Sequence, residues 1–417
     1  MALSALAVSD TAALQGAWSA RALDVARASA IFTGIAATLS TAAASLGAFV
    51  FLVALIGSGR LHVVLAEAWR SPVGKAAVVF LAWVLASSAW SAAGLDAGLR
   101  DFWAWRKLVY LYLALPLFAD AKWKRRAAAS LLQVCVAAVA LSFLSIVLDV
   151  PFRHAELGAS GVVFTNYSIQ GIAFAVAAAV AVQFATEARD ARRRLYVVAA
   201  AALVANVLFF GEGRTAYLVI VGIAVCWAVL RGGLRHAAVA SAAFATLLAA
   251  AFFFSPTFHG RVMKGWDEFQ ASARLREETS VGVRVLFAKN TVALIADRPV
   301  FGYGLGSFKP VYARYVDARY TGFAALHAGD PHDQYLYVLF EQGLVGLALF
   351  LGMIVVWFRS FPRDGYGRLA ACALTAWVIG CIFNSHFRTF PEGHFYALFI
   401  AMLGAGAARR VRVSDPA

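Results

Sequence analysis

The chain has 417 residues, of which 62% are hydrophobic and only 14% charged. Soluble domains average about 45–50% apolar and about 25% charged residues, so a soluble fold is excluded. The net charge of +14 is not the footprint of nucleic-acid binding, because the Lys and Arg residues fall in short segments between apolar runs, as the positive-inside rule requires.

Apolar runs near the bilayer-spanning length of about 20 residues recur along the whole sequence. They predict an all-α polytopic membrane protein with about 12 transmembrane helices. No compact apolar core of a cleaved signal is evident in the first 30 residues. Residues 28–57 are interrupted at Thr38, Ser40 and Thr41 and are read as two short spans. The third span covers 74–92, and a Trp-bearing segment with Asp96, Arg100 and Asp101 leads to the fourth at 106–119. The fifth (127–149), sixth (163–186), seventh (195–210), eighth (215–231) and ninth (237–255) follow. A polar segment from 256 to 333, the longest in the chain, precedes the tenth span at 334–358, with the last two at 369–386 and 394–408. The expected organisation is therefore residues 1–255 as nine spans, 256–333 as a partly helical periplasmic loop, and 334–417 as three spans with a short cytoplasmic tail.

The basic clusters at 58–75, 120–126, 187–194, 231–236 and 359–368, with Arg409, Arg410 and Arg412, mark one face as cytoplasmic. The segments 93–105, 150–162 (with Pro151, Arg153, His154 and Glu156), 211–214, 256–333 and 387–393 then lie on the opposite face. Within the long segment, 282–297 suits a helix with one apolar stripe stopped by Pro299, and 307–320 suits a second. Loops of this length often act as lids. Cys135, Cys226, Cys372 and Cys381 all sit in apolar runs without C-x-x-C spacing and read as small core residues.

The chemistry-bearing residues gather at the expected outer face. His332, after Asp330 and Pro331 and before Asp333, opens the tenth span; a histidine there either takes a proton from a hydroxyl or caps the helix. His327, Asp330, His332 and Asp333 cluster in sequence, but their spacing matches neither a zinc finger nor an H-E-x-x-H helix, and no metal site is expected. Arg214 follows Gly211, Glu212 and Gly213 at a helix end, where a permanent guanidinium grips phosphate oxygens or snorkels to headgroups. Arg284 lies on the first loop helix, and spacing alone does not select it over Arg261, Lys264, Arg274, Arg276, Lys289 or Arg298. Gly302 to Gly306 read as a tight turn after Pro299, and His386, Arg388 and His394 at the outer mouth of the last two spans are candidates to line the same cavity.

These features resemble the O-antigen ligase family of membrane glycosyltransferases. His332-Asp333 followed nine residues later by Gly343-Leu344-Val345-Gly346 is similar to the family's histidine motif, although Asn, Ser or Gln is usual where this chain has Asp333. Gly213-Arg214-Thr215 resembles its Ser/Gly-Arg-Thr/Ser, and Arg284 through Pro299-Val300-Phe301-Gly302-Tyr303-Gly304 resembles its loop helix and Pro-x-x-Gly-x-Gly. The resemblance implies a donor glycan on undecaprenyl diphosphate, a lipid A–core acceptor, and inverting transfer at the periplasmic face of the inner membrane without nucleotide sugar, metal or cofactor. It implies His332 as base, and Arg214 and Arg284 on the diphosphate. Asp330, Asp333, Tyr335, His386 and Arg388 are expected near substrate. A polymerase and a protein O-oligosaccharyltransferase share the donor and stay open. A lipid-glycan transporter would carry charged residues within spans.

Overall fold

The computed structural model describes residues 2–149, 161–211, 213–272 and 279–406, with side chains from residue 17 onward except that of Ser272. Pro151, Arg153, His154, Glu156, Glu212, Arg274, Arg276, Arg409, Arg410 and Arg412 lie outside the described residues. No strand occurs among those described.

The first helix, α1 (Ala2–Ala36), runs unbroken through the polar N-terminal stretch that was expected to precede the first span. It turns at residues 37–40 into α2 (Thr41–Gly57), capped by Ser40, which accepts from Ala43 N–H. The break therefore falls at the Thr/Ser interruption, where a side-chain oxygen satisfies an orphan amide. Helix α3 (Leu61–Arg70) is bent 103° from α2, and α4 (Pro72–Ala86) starts on the Ser71 cap with proline in its first turn. A short α5 (Leu95–Phe102) leads to α6 (Arg106–Ala114) and the long α7 (Ala121–Leu148).

Helix α8 (Tyr167–Glu187) is buried along nearly its whole length. Its alanines at 173, 175, 177, 178, 179 and 181 leave little side chain, so the neighbouring helices approach closely. Helix α9 (Asp190–Ala205) ends in one π-helical turn over Asn206–Phe210. Helix α10 (Arg214–Phe254) is divided by Gly232 and Gly233, whose non-helical backbone separates an eighth-span half from a ninth-span half. Helices α11 (Pro256–Ser272), α12 (Ser280–Ile295) and α13 (Phe308–Asp317) occupy the long polar segment. Helices α14 (Gln334–Ser360), α15 (Gly365–Gly380) and α16 (Phe390–Gly404) complete the bundle, with α15 against α8, α10 and α16.

Six helices among the described residues are long and apolar enough to cross a membrane, and seven if the bent α2–α3 pair is one span. The expected twelve is larger because it counts the two halves of α10 separately and includes α1, together with α6, α15 and α16, which are at most 16 residues long. Helix α12 buries Gly282, Leu286, Phe287, Asn290, Thr291 and Leu294 along one stripe, as the sequence pattern predicts.

The helix that opens after His332 is not continuous. At Gly343 the backbone turns to φ 68° and ψ −170°, a region open to glycine but strained for other residues. The segment after Pro299 fills the break. Leu344 N–H donates to Pro299 O at 2.8 Å and Val345 N–H to Val300 O at 3.3 Å. In return, Tyr303 N–H donates to Phe340 O at 2.9 Å and Gly304 N–H to Glu341 O at 2.8 Å. On its other side the same segment pairs with the end of α4, through Ala92 N–H to Tyr303 O and Leu305 N–H to Ser87 O. Trp90 Nε1 donates to Phe301 O at 3.0 Å, and Trp83 Nε1 to Gln342 O at 3.3 Å. The glycine-rich stretch is thus a backbone splice between two helices rather than only a turn. Gly346, by contrast, sits against Trp83, a close approach between helices.

A Cβ at position 343 would lie 2.1 Å from Val300 O, whereas one at Gly352, in the same helix, meets nothing within 4 Å. Gly343→Ala is therefore expected to cost about 1–3 kcal/mol, read as a lower melting temperature of the detergent-purified protein, and Gly352→Ala to leave it unchanged. Equal melting of the two variants would show that the splice does not need glycine.

Candidate active site

The site starts from a strained histidine. His332 has φ 53°, uncommon for a residue with a side chain. The turn that holds it is local: the Asp330 carboxylate accepts His332 N–H at 2.8 Å and Ser385 Oγ–H at 3.0 Å. This conformation lays the imidazole on the ring of Phe287, with centroids 5.8 Å apart and planes 17° from parallel. Nδ1 lies 3.6 Å from Asp330 Oδ1 and has no hydrogen-bond partner, while the side chain keeps 37% of its surface exposed. A small ring movement brings Nδ1 into hydrogen-bond range, the kind of tightening that substrate binding often brings.

Phe287 is on α12, one turn after Arg284, so His332 and this arginine are linked by three residues of one helix. Arg284 Nη1 donates to Ser280 O at 2.8 Å and Ser280 Oγ at 2.6 Å, and its Nε is buried without a partner. Burial lowers its pKa, Tyr167 and Glu268 oppose that, and Arg214 adds to it. These influences place Arg214, Glu268 and Tyr167 in the electrostatic neighbourhood of Arg284.

Arg214 begins α10 just after the π-helical turn of α9, a distortion frequent at functional sites. Tyr217 Oη–H donates to Gly211 O at 2.7 Å, and Asn206 Nδ2–H to Ser142 Oγ at 2.9 Å, fixing the chain on the α9 side of Arg214. The guanidinium pairs with Glu268 of α11 at 3.1 Å. Gly265, one turn before Glu268, makes room for it: a Cβ there would lie 2.6 Å from Arg214 Nη1. The sequence reading missed Glu268. Its signal was a carboxylate on the amphipathic α11, within a loop otherwise rich in basic residues.

Other expected site residues are placed differently. Asp333 is the N-cap of α14, accepting Tyr335 N–H at 2.8 Å and Leu336 N–H at 2.9 Å. Burial pushes its carboxyl up while those two amides pull it down, with burial the larger. It has no contact with the imidazole of His332 that would orient it. Tyr335 commits its hydroxyl to Val378 O at 2.8 Å and its ring edge to Phe350, so it ties α14 to α15. His386 is 1% exposed, beneath Gly380 and Tyr396 and 4.0 Å from Glu392, and does not face an open cavity. His394 is also buried, between Tyr110 and Phe390. His327 pairs with Asp317 at 2.7 Å, away from the Asp330 turn. Among the described residues no three His, Cys, Asp or Glu side chains group as metal ligands.

Arg388 pairs with Asp101 of α5 and lies 4.4 Å over the Tyr337 ring. The turn carrying it is gripped from below by Lys107, a fully buried lysine whose Nζ donates to Ala104 O, Phe387 O and Arg388 O. Lys107 was also missed, though a lysine early in an apolar run is costly enough to be a signal.

The fold is thus that of a polytopic all-helical membrane protein with a polar, charge-lined face under its longest interhelical segment. Residues 199–351 match the model of the family described as O-antigen ligase. The matched part, less than half of the chain, contains Arg214, Arg284, His332 and the α14 splice. Asp101, Lys107 and Arg388 lie outside it. No curated protein matches the sequence.

If Asp333 serves as a cap, Asp333→Asn keeps both its stability and its activity. Asp333→Ala is expected to lose about 0.5–2 kcal/mol of stability, measured as the shift in thermal unfolding. A loss of activity in Asp333→Asn at unchanged melting temperature would instead give Asp333 a role toward the imidazole.

Proposed function

We propose that the protein is an O-antigen ligase, joining a glycan carried on undecaprenyl diphosphate to lipid A–core at the periplasmic face of the bacterial inner membrane. The observation that carries this reading is the continuity from His332, through Phe287, to Arg284 and Arg214. One neutral base and two permanent cations share one face of the bundle. The basic clusters on the other side orient that face outward by the positive-inside rule, with the twelve-span arrangement that the sequence predicts.

In this mechanism the acceptor sugar hydroxyl approaches His332, which takes its proton as the oxygen attacks the anomeric carbon. Asp330, beside Nδ1, favours the imidazolium that forms. The bond to undecaprenyl diphosphate breaks on the opposite side of that carbon, so the configuration inverts. Arg284 and Arg214 neutralise the charge growing on the departing diphosphate. Without donor, Glu268 occupies Arg214, and the diphosphate takes its place. Asp333, Tyr335 and His386 act through the fold, as cap, tie and packing.

An O-antigen polymerase would use the same donor and the same three residues, and a protein O-oligosaccharyltransferase would differ in its acceptor. Reconstitution with lipid-linked glycan and lipid A–core separates them: appearance of smooth lipopolysaccharide supports the ligase, and a lengthened lipid-linked chain the polymerase.

In that assay His332→Ala is expected to lose about 10²–10⁴-fold in turnover, the usual worth of a general base, with the protein still inserted. Arg214→Ala is expected to raise the donor KM. Full turnover in His332→Ala would remove it from the mechanism. Added chelator is expected to leave the rate unchanged, and inhibition would bring a metal into it.

A further inference from the structure

Beside the Asp330 turn is a second polar chamber of about 420 Å³, within the usual range of ligand sites of about 300–1,000 Å³. It is walled by Asp101 from α5, Lys309 and Pro310 from the start of α13, Tyr337 and Glu341 from α14, and Arg388. Gly329, immediately before Asp330, is part of its rim, and Asp330 acts electrostatically on Arg388. The chamber is therefore contiguous with the turn that holds His332.

Its deepest group is the informative one. Glu341 is completely buried in the helix that follows the base. One carboxylate oxygen, Oε1, takes Phe308 N–H at 3.3 Å, and the other, Oε2, has no partner. Arg388 Nε is likewise buried and unpartnered. A buried carboxylate oxygen left unsatisfied is costly, so a bound donor at this position would be strongly favoured. The lining sets the Asp101 carboxylate as acceptor beside the Arg388 and Lys309 donors and the Tyr337 ring. Donors and acceptors side by side around an aromatic ring match a ligand that offers many of both, which is the chemistry of sugar hydroxyls.

We infer that this chamber is a saccharide subsite, holding hydroxyls of the acceptor glycan next to the sugar that His332 deprotonates. The inference deepens the ligase reading and rests on it for the word acceptor. The division of labour is physical: the Arg214–Arg284 side carries net positive charge for the diphosphate, and the Asp101–Arg388 side mixes donors and acceptors for the hydroxyls of the glycan.

The test uses full-length protein in lipid nanodiscs and acyl-free core oligosaccharide as the probe, with binding followed by saturation-transfer NMR and calorimetry. The wild type is expected to bind, and Glu341→Gln to lose at least about tenfold in affinity, the scale of one hydrogen bond to a charged group. The exposed Lys309→Ala is expected to weaken binding as well, and it decides the matter if Glu341→Gln melts below the wild type. Wild-type affinity in both variants, or no binding by the wild type, overturns the subsite. Transfer kinetics separate this from the ligase reading. If transfer occurs and Glu341→Gln keeps the wild-type acceptor KM, the subsite fails alone. If binding depends on Glu341 but lipid A–core is never glycosylated, the ligase reading fails and the saccharide subsite stands.

Discussion

The architecture depends on one exchange of backbone hydrogen bonds, the insertion of Val300–Gly304 into the broken helix α14. A helix interrupted inside an apolar bundle leaves amides and carbonyls that water cannot reach, each a penalty of several kcal/mol in hydrocarbon. The segment after Pro299 supplies the missing partners on both sides of Gly343. That segment is also locked against the end of α4 and the residues after it, through the Trp83 ring on Phe301 and hydrogen bonds from Trp90 and Ser91. Two arms of the site leave this point. Helix α12, with Arg284 and Phe287, ends at Ile295, four residues before Pro299. The first half of α14 runs back from Gly343 to the Asp333 cap and His332. The stacking of His332 on Phe287 is the closure of that triangle. The splice therefore sets the distance between base and arginine, although neither residue touches it.

Two of the permanent cations on this face each have an anion they can give up. Arg214 rests on Glu268, and Arg388 on Asp101. Holding a guanidinium in a half-buried place without a counter-charge is expensive, while a carboxylate partner leaves it available to a stronger, bidentate anion such as a diphosphate. Arg284 differs. It has only serine oxygens for direct partners, and burial together with Arg214 depresses its pKa. Of Arg214 and Arg284, the latter gains more from an arriving anion, because it has no carboxylate to leave behind.

Much of this was legible in the sequence, for a reason that differs by element. Helix positions follow from apolar length and from caps such as Ser40, Ser71, Asn166 and Asp364, which are local signals. The stripe of α12 follows from its periodicity. The splice was not legible, since two glycine motifs about forty residues apart carry no local sign that their backbones pair. Gly302 and Gly343 each read plausibly as a turn and a packing site, and only their joint conformation shows the exchange. Glu268, Lys107 and Glu341 were missed because a charge in an amphipathic helix, or at the edge of an apolar run, looks solvated until the neighbour that buries it is known. The sequence reading puts His386 and Tyr335 near substrate. Helical phase on α14 turns Tyr335 to Val378, and the turn before α16 folds His386 inward to Glu392.

Asp333 is the clearest case of structure explaining a departure in sequence. In the motif that this chain resembles, the residue after the histidine is usually Asn, Ser or Gln, and a carboxylate there looks like a change at the catalytic base. Its geometry says otherwise: the side chain turns away from the ring and into the first turn of α14, where it accepts two amides. Asn, Ser and Asp are near-equivalent N-caps because each offers an oxygen on a short side chain. The position selects for that oxygen and not for a charge. The carboxylate able to influence the imidazole is Asp330, which already holds the His332 amide and Ser385. His332 is thus oriented from the turn before it, and the helix after it is capped independently by Asp333.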